Sequence, residues 1–254
     1  MSRRADDAYG ALLLEASRSQ AYQKFCIQAL GCNVGQLSPV DRSQLRMVRQ
    51  LVRRHAQSWS GDPYRVLDLG CGTGGIAYHL SNRLDLDVLG IDFARAAIDA
   101  AKNRWLDGDG PRFRVDDLLT LDLGDETFAT LLAIDVLANL SAPRLALNRW
   151  LPHLAPGGQL LLLGSAEDPR PAHALPLVRW LRRQDYRVQH VDLTAFEHRH
   201  WPVQLATLDA LRRDFAAEGH LALFALLRNE AIRGQKLVRA GRARRFLLRA
   251  TPLV

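Results

Sequence analysis

The stretch RVLDLGCGTGG, Arg65 to Gly75, constrains this chain more than any other. An apolar run there passes into four glycines within six residues, Gly70, Gly72, Gly74 and Gly75. Glycine tolerates left-handed backbone and lets a loop approach a ligand closely. The pattern predicts a buried strand, a tight loop and a helix whose N-terminus faces that loop, which is the architecture of a nucleotide-bearing cofactor site. Two spacings coexist. Gly70, Gly72 and Gly75 satisfy G-x-G-x-x-G, the cradle of a pyrophosphate, and Gly70, Gly72 and Gly74 satisfy G-x-G-x-G, which suits an amino-acid-bearing adenosine.

The rest of the chain supplies a sheet for this loop. Strands are expected at 64–70, 87–92, 112–117, 128–135, 158–164, 186–192 and 244–250. Helices are expected after the loop and at 93–106, 142–154 and 173–184, with one or two more between Thr194 and Ala240, broken at Gly219. Such alternation argues for an α/β fold, a Rossmann-like seven-stranded sheet that is mostly parallel and covered on both faces. Because residues 194–240 separate the last two strands, the final strand is expected to return antiparallel. Residues 1–60 carry apolar positions at helical spacing, with Ser38-Pro39 as a break and helix start, and Gly61-Asp62-Pro63 turns into the first strand. The expected division is an N-terminal helical cap over 1–60 and a main domain over 61–254, with a helical insertion at about 194–240 before the last strand.

With 254 residues, there is room for one α/β domain plus an appendage of about 50 to 60 residues. No apolar run is long enough for a membrane span, and the N-terminal apolar stretch, interrupted by Glu15, does not read as a secretory signal. Cys26, Cys32 and Cys71 are an odd number with no metal-binding or disulfide spacing, so a reducing, cytoplasmic setting is expected. The net charge of +7 is concentrated late, with eight basic residues from Arg228 to Arg249 against Glu230 alone. That run is either a phosphate-tracking patch or the solvated face of a helix in an arginine-rich chain, and the second reading is preferred.

Charge decides between the two cofactors. Asp68 stands two residues before Gly70, at the mouth of the expected site, where a carboxylate repels a pyrophosphate and favours a cation. S-adenosylmethionine (SAM), with its sulfonium and ammonium, matches. Asp92, at the end of the second strand, is placed to accept hydrogen bonds from ribose hydroxyls in either kind of site.

At this point the chain resembles the class I (seven-strand) SAM-dependent methyltransferases over about Arg65 to Gly164. VLDLGCGTG at 66–74 resembles the family's first motif, which implies cofactor contacts at Asp68, Gly70, Cys71, Gly72 and Gly74. Asp92 and Phe93 resemble the ribose acid and the residue flanking the adenine. RFRVDDLLTLDL resembles the third-strand motif, which implies that Asp117, with Asp116 as a close rival, takes the adenine amino group and that Leu118 gives a backbone contact. FATLLAIDVLANL resembles the fourth-strand motif, where backbone at Ala133 and Ile134 would meet the methionine amino group. WLPHLAPGGQLLL resembles the structural turn before strand five. Two positions depart from the family pattern, Ala129 in place of an acid and Asn139 in place of a histidine, and these leave the acceptor chemistry open. The flanks, AYQKFCIQALGCNVGQ and DLTAFEHRHW with FAAEGHLALFALLRNEA, are similar to a bacterial group of small-molecule methyltransferases with a helical N-terminal cap.

Methyl transfer needs an aligned lone pair and a dry site, and a base only if the nucleophile is protonated. Candidate groups cluster in FEHRHW: Glu197, His198, His200 and Trp201. His198-x-His200 beside Glu197 also resembles metal-ligand spacing, but no further acids stand near strand five and no metal is expected. One of these residues is expected to line the acceptor pocket and another to face solvent. Asp135 either reaches the acceptor or ends a strand. Tyr22 and Phe25, one helical turn apart, either cover the sulfonium by cation–π contact or pack in the core, and core packing is preferred. Asn139 and Trp201 complete the candidate pocket, with Glu218 and His220 behind them. The function expected is methyl transfer from SAM to a small molecule, giving S-adenosylhomocysteine. The alternatives are SAM itself as substrate, giving methylthioadenosine, a non-catalytic SAM-binding module, and RNA methylation. The last is disfavoured in its base-flipping form because Ile134-Asp135-Val136-Leu137 stands where an Asn/Asp-Pro-Pro-aromatic motif would be needed. The acceptor and the oligomeric state are not readable from the residues.

Overall fold

Uninterrupted apolar strands form the centre of the molecule. The computed structural model describes residues 3–35, 37–61, 63–105 and 110–253, with side chains from residue 8 onward. Seven strands, β1 Arg65–Leu69, β2 Asp87–Asp92, β3 Arg112–Val115, β4 Phe128–Ile134, β5 Leu154–Ala166, β6 Tyr186–Asp192 and β7 Arg244–Pro252, make one sheet in the order β3-β2-β1-β4-β5-β7-β6. The first five run parallel, and β7 inserts antiparallel between β5 and β6. All seven strands expected from the sequence are present, and the last returns antiparallel.

β4, FATLLAI, is buried at every position because both its faces are covered. Leu67, Leu131, Leu160 and Leu162 face one layer with Leu147, Trp150, Val178 and Leu181, from α6 (Pro143–Trp150) and α7 (Pro176–Arg183). Val66, Leu132, Leu161 and Leu163 face the other with Val48, Val52, Leu80 and Ile98, from α3 (Arg42–Gln57), α4 (Gly75–Leu84) and α5 (Arg95–Trp105). Each such leucine, fully buried, contributes about 1.5–3 kcal/mol. β1 pairs with β2 on one side and β4 on the other, so the chain reverses its winding beside β1. The crevice beyond the carboxyl ends of β1 and β4 is where open α/β sheets bind ligands.

The N-terminal helix α1 (Arg3–Arg18) closes over that crevice together with a long hairpin, α8 (Thr194–Ala217) and α9 (Leu221–Arg239), against which α2 (Gln20–Phe25) packs. Tyr22, Phe25, Leu208, Phe215, Leu223 and Leu227 form a separate apolar cluster between them. Gly219, at φ +76°, separates α8 from α9 at the expected break. Glu218 and His220 join helix ends: Glu218 accepts from Ser19 Oγ at 2.7 Å and from Ala21 N at 2.9 Å, and His220 Nδ1 lies 2.9 Å from Glu15 Oε1. They are not pocket residues. α3 begins three residues beyond the expected Ser38-Pro39 start, because the Asp41 carboxylate accepts the Gln44 N–H at 2.8 Å and caps the helix. The expected turn at Asp62 and the expected helix end at Leu106 lie outside the described residues. Among the described residues, no helix is long and apolar enough to cross a membrane.

The segment before α3 is seated on the start of α4. A Cβ on Gly75 would stand 1.7 Å from the Val34 carbonyl oxygen, and Thr73 Oγ1 donates to the Gly35 carbonyl at 3.0 Å. Gly75→Ala is therefore expected to lower stability by at least about 1–3 kcal/mol, the usual range for overpacking, measured by urea unfolding. Unchanged stability would show that this segment is not seated there.

Candidate functional site

The loop after β1 turns through left-handed backbone at Gly70 (φ +78°), Gly72 (φ +54°) and Gly74 (φ +77°). Gly70 N and Cys71 N both donate to the Ile91 carbonyl, at 2.7 and 2.9 Å, which fastens the loop to β2. Asp92 completes the fastening. One of its oxygens accepts the Gly72 N–H and the other the Ala94 N–H, both at 2.9 Å. The Phe93 N–H also reaches the carboxylate, and the lone-pair capacity that remains faces a ligand. A Cβ on Gly70 would meet a Val136 methyl at 2.5 Å, so the loop backbone lies against the turn after β4.

A cavity of about 1310 Å³ opens over this loop. Gly70, Cys71, Gly72, Asp92, Phe93, Asp117, Leu118 and Ile134 line it, as do Asp135, Asn139, Glu197 and Trp201. Asp116 lines it too but is engaged by Arg114, whereas Asp117 gives one oxygen to the Leu119 N–H at 2.9 Å. Tyr9 of α1 stacks on Phe93 with ring centroids 5.3 Å apart.

Other expected site residues lie elsewhere. Asp68, Gly74 and Ala133 are buried behind the cavity wall. Asp68 is 2% exposed and one of its oxygens has no hydrogen-bond partner; the Ala77 N–H reaches the carboxylate from α4. Tyr22 and Phe25 pack in the cluster between α2 and the α8–α9 hairpin, outside the cavity, where the apolar burial of an aromatic pair outweighs any cation contact. His198 is exposed on the outer side of α8. His200 is buried near Asp41, its Nδ1 3.8 Å from Asp41 Oδ2, and is not in the cavity wall. Among the described residues, no three His, Cys, Asp or Glu come together to hold a metal ion.

Three charged or aromatic wall residues, Tyr9, Glu230 and Arg245, and one loop residue behind the wall, Thr73, had no role in the sequence reading. Tyr9 and Glu230 come from elements far from the loop in sequence. Thr73 ties the loop to Gly35. Arg245 of β7 is fully buried and forms a bidentate pair with Asp135, Nη2 to Oδ2 at 3.0 Å, while Gln44 Oε1 accepts from Nη2 at 2.8 Å. Its only sequence signal was an arginine in an apolar strand. Asp135 is thus a paired carboxylate at a left-handed turn (φ +57°), and Asn139 Nδ2 donates to its carbonyl at 2.9 Å. The basic run from Arg228 to Arg249 is dispersed. Arg228 pairs with Asp209, Arg233 with Glu167 and Arg245 with Asp135, while Arg249 donates to Gln159.

The electrostatics of the wall are acidic. Burial, reinforced by the neighbouring Asp92 charge, pushes Asp68 up to about 7, and burial raises Asp92 as well. Burial pushes Glu197 up to about 7 despite the nearby Arg245. Glu230 is also raised, first by burial. Burial raises the Cys71 thiol well above its ordinary value, so Cys71 is a neutral small residue and not a nucleophile. Burial lowers His200, which is therefore neutral at pH 7.

Asp68 carries a pH dependence whose sign is fixed. Between its ordinary value of 3.8 and about 7, the folded chain holds a proton that the unfolded chain has lost. Stability therefore falls as pH rises through that window. Asp68→Asn, which keeps an acceptor for the Ala77 N–H, is expected to be more stable than wild type by up to about 4 kcal/mol at pH 8 and nearly equal at pH 4. Denaturant unfolding at the two pH values reads the difference, and a gain at pH 4 equal to that at pH 8 would remove this account of Asp68.

Comparison with known proteins bears on the domain and the fold. The methyltransferase-domain family matches residues 66–158. Phosphoethanolamine N-methyltransferase 3 of Arabidopsis thaliana is 28% identical over 107 residues, 42% of this chain and 22% of the plant protein. The chain thus spans about a fifth of that relative. Among solved structures, the [4+2]-cyclase SpnF superposes with a TM-score of 0.65 at 22% identity, over 82% of this chain and 83% of that one. A SAM-dependent methyltransferase from Geobacter sulfurreducens, solved with S-adenosylhomocysteine, superposes with a TM-score of 0.59 at 18% identity, over 91% and 98%.

Proposed function

We propose that this chain, whose residues 66–158 match the methyltransferase-domain family, binds SAM and passes its methyl group to a small-molecule acceptor by in-line displacement, with S-adenosylhomocysteine as the second product. One observation carries the reading. The glycine cradle is backed by Asp68, with an unpartnered buried oxygen, and flanked by Asp92, so the site is built for a cation and against a pyrophosphate.

The residues present fit the cofactor. Gly70 and Gly72 would give it close backbone approach, Asp92 would take the ribose hydroxyls, and Asp117 with Leu118 would take the adenine edge. Phe93, stacked by Tyr9, would give the adenine an apolar face, and backbone near Ile134 would meet the amino group. SAM supplies a methyl carbon already activated by its sulfonium. The protein aligns and dehydrates: α1, α8 and α9 cover the cavity and exclude water, and Trp201 and Asn139 shape the acceptor side. Glu197, in the wall and raised to about 7, is the group suited to hold an acceptor's proton near neutral pH. Residues 1–60 act as the cap in this reading, and a reducing, cytoplasmic setting suits the three free cysteines.

The test is product analysis. Incubated with SAM and a fractionated metabolite extract, the protein is expected to yield S-adenosylhomocysteine and a product 14 mass units heavier than its acceptor, the mass of an added CH₂ (~14 Da). Methylthioadenosine instead would move the chemistry to SAM's own amino-acid arm, and turnover of neither kind would leave a binding module.

A further inference from the structure

The cavity is larger than its cofactor requires. A single small ligand typically fills about 300–1,000 Å³, and this cavity holds about 1310 Å³. Its far wall combines apolar side chains, including Leu12, Leu226, Leu237 and Val238, with two carboxyls, Glu197 of α8 and Glu230 of α9. Glu197 is 2% exposed; the Trp201 indole, one turn along α8, is the protein donor facing its carboxyl, and Oε1 makes no hydrogen bond of ordinary length. Leaving such an oxygen unpaired in an apolar wall is costly unless a ligand supplies the donor.

Of the four arginines among the described wall residues, three are engaged within the protein, and the fourth, Arg144, is exposed at the start of α6 and is not among the charges that act on Glu197. Arg245 is bound bidentately by Asp135 and by Gln44, Arg233 by Glu167, and Arg244 donates to the Pro169 carbonyl at 2.8 Å. The same engagement leaves those arginines poorly disposed to hold a phosphate or carboxylate on the acceptor. Asp135 and Asp41 add negative charge around Glu197, and Arg245 is the cation facing it.

We propose that the acceptor side of the cavity is an ammonium site, so that the acceptor is an amine on an apolar body whose cationic nitrogen docks on Glu197, with Glu230 as the second carboxyl. This deepens the methyl-transfer reading and rests on it. A charge-assisted N⁺–H···O⁻ bond is about twice as strong as a neutral one, so a buried carboxylate discriminates for an amine over the matching alcohol. The same pair of carboxyls disfavours a carboxylate at that end of the cavity. The apolar lining takes the rest of the molecule.

The test is calorimetric titration at pH 7 of n-octylamine, n-octanol and octanoate, with SAM titrated in parallel. Wild type is expected to bind octylamine at least about 10-fold more tightly than octanol and to show no heat with octanoate. Binding of the amine draws Glu197 toward its charged form, so it is expected to release protons, read from the dependence of the heat on buffer ionisation. Glu197→Gln is expected to weaken octylamine about 10-fold or more while leaving octanol and SAM unchanged. Glu230→Gln, on the opposite helix, is expected to weaken octylamine in the same sense by less. Melting temperatures equal to wild type exclude a folding defect, and if one variant melts early the other decides. Octanol bound as tightly as octylamine, octylamine unaffected by both substitutions, or no octylamine binding while SAM binds would each overturn the proposal. Loss of SAM binding in Glu197→Gln would overturn it by giving that carboxyl to the cofactor. Failure of wild type to bind SAM strikes the methyl-transfer reading, which the amine titrations do not depend on.

Discussion

Asp92→Ala is expected to weaken SAM binding by at least about 100-fold, the largest loss foreseen for any single cofactor-side residue. The magnitude follows from what the carboxylate does in the structure. Its two oxygens hold the Gly72 and Ala94 N–H groups at 2.9 Å, one on the glycine loop and one at the start of α5. Hydrogen bonds to a charged group contribute about 1.5–3 kcal/mol each, so losing them loosens the loop before any ligand arrives. The ribose contact proposed for the same carboxylate would be lost as well. Calorimetry on wild type and variant measures the effect. Asp92→Asn separates the two causes, since its amide oxygen can still accept one backbone N–H while the charge is gone. A variant that binds SAM within about 3-fold of wild type would remove Asp92 from the cofactor site.

Arg245→Met is expected to destabilise the fold by about 3–5 kcal/mol, the range found when one member of a buried ion pair is removed. Arg245 is wholly enclosed, and its loss strands Asp135 at the turn after β4, with Glu197 close by and Gln44 without its donor. The effect should reach the acceptor side, because Arg245, ahead of the Trp201 indole, restrains the rise of Glu197. Without it, Glu197 titrates higher still, and any step that needs its carboxylate moves to higher pH. Asp135→Leu added to Arg245→Met is expected to recover part of the stability, since an apolar pair can replace a buried ionic one. Urea unfolding of the single and double variants reads the stability. A single variant within about 1 kcal/mol of wild type would mean that the buried pair is not a structural anchor.

Much of the fold was legible because it rests on local pattern. Runs such as FATLLAI admit only a strand covered on both faces, and the alternation of such runs with helical segments left a parallel sheet as the economical solution. The glycine loop, Asp92 and Asp117 were legible for a similar reason, since strand ends fix where such residues emerge.

The acceptor side was harder to read, because helix register and long-range pairing decide it. Glu197 and Trp201 are four residues apart and share the cavity face of α8, whereas His198, one residue on, is turned about 100° to solvent. Three polar residues in one short motif therefore went to three environments. Tyr22 and Phe25 have the spacing of a core pair, and the α8–α9 hairpin takes them as one. Tyr9, Glu230 and Arg245 reach the wall from three distant segments, and nothing in their local sequence marks them. Asp68 illustrates a subtler point. Its carboxyl lies behind the loop and not at the mouth, so the influence proposed for it is through the field and not through contact.

The central claim is that this acid-backed glycine cradle is a cation-selective cofactor site. Parallel calorimetric titration of SAM and NADH into the wild-type protein tests it most directly. The account predicts saturable SAM binding at one site per chain and no measurable heat from NADH; binding of NADH as tight as that of SAM, or no SAM binding, would contradict it.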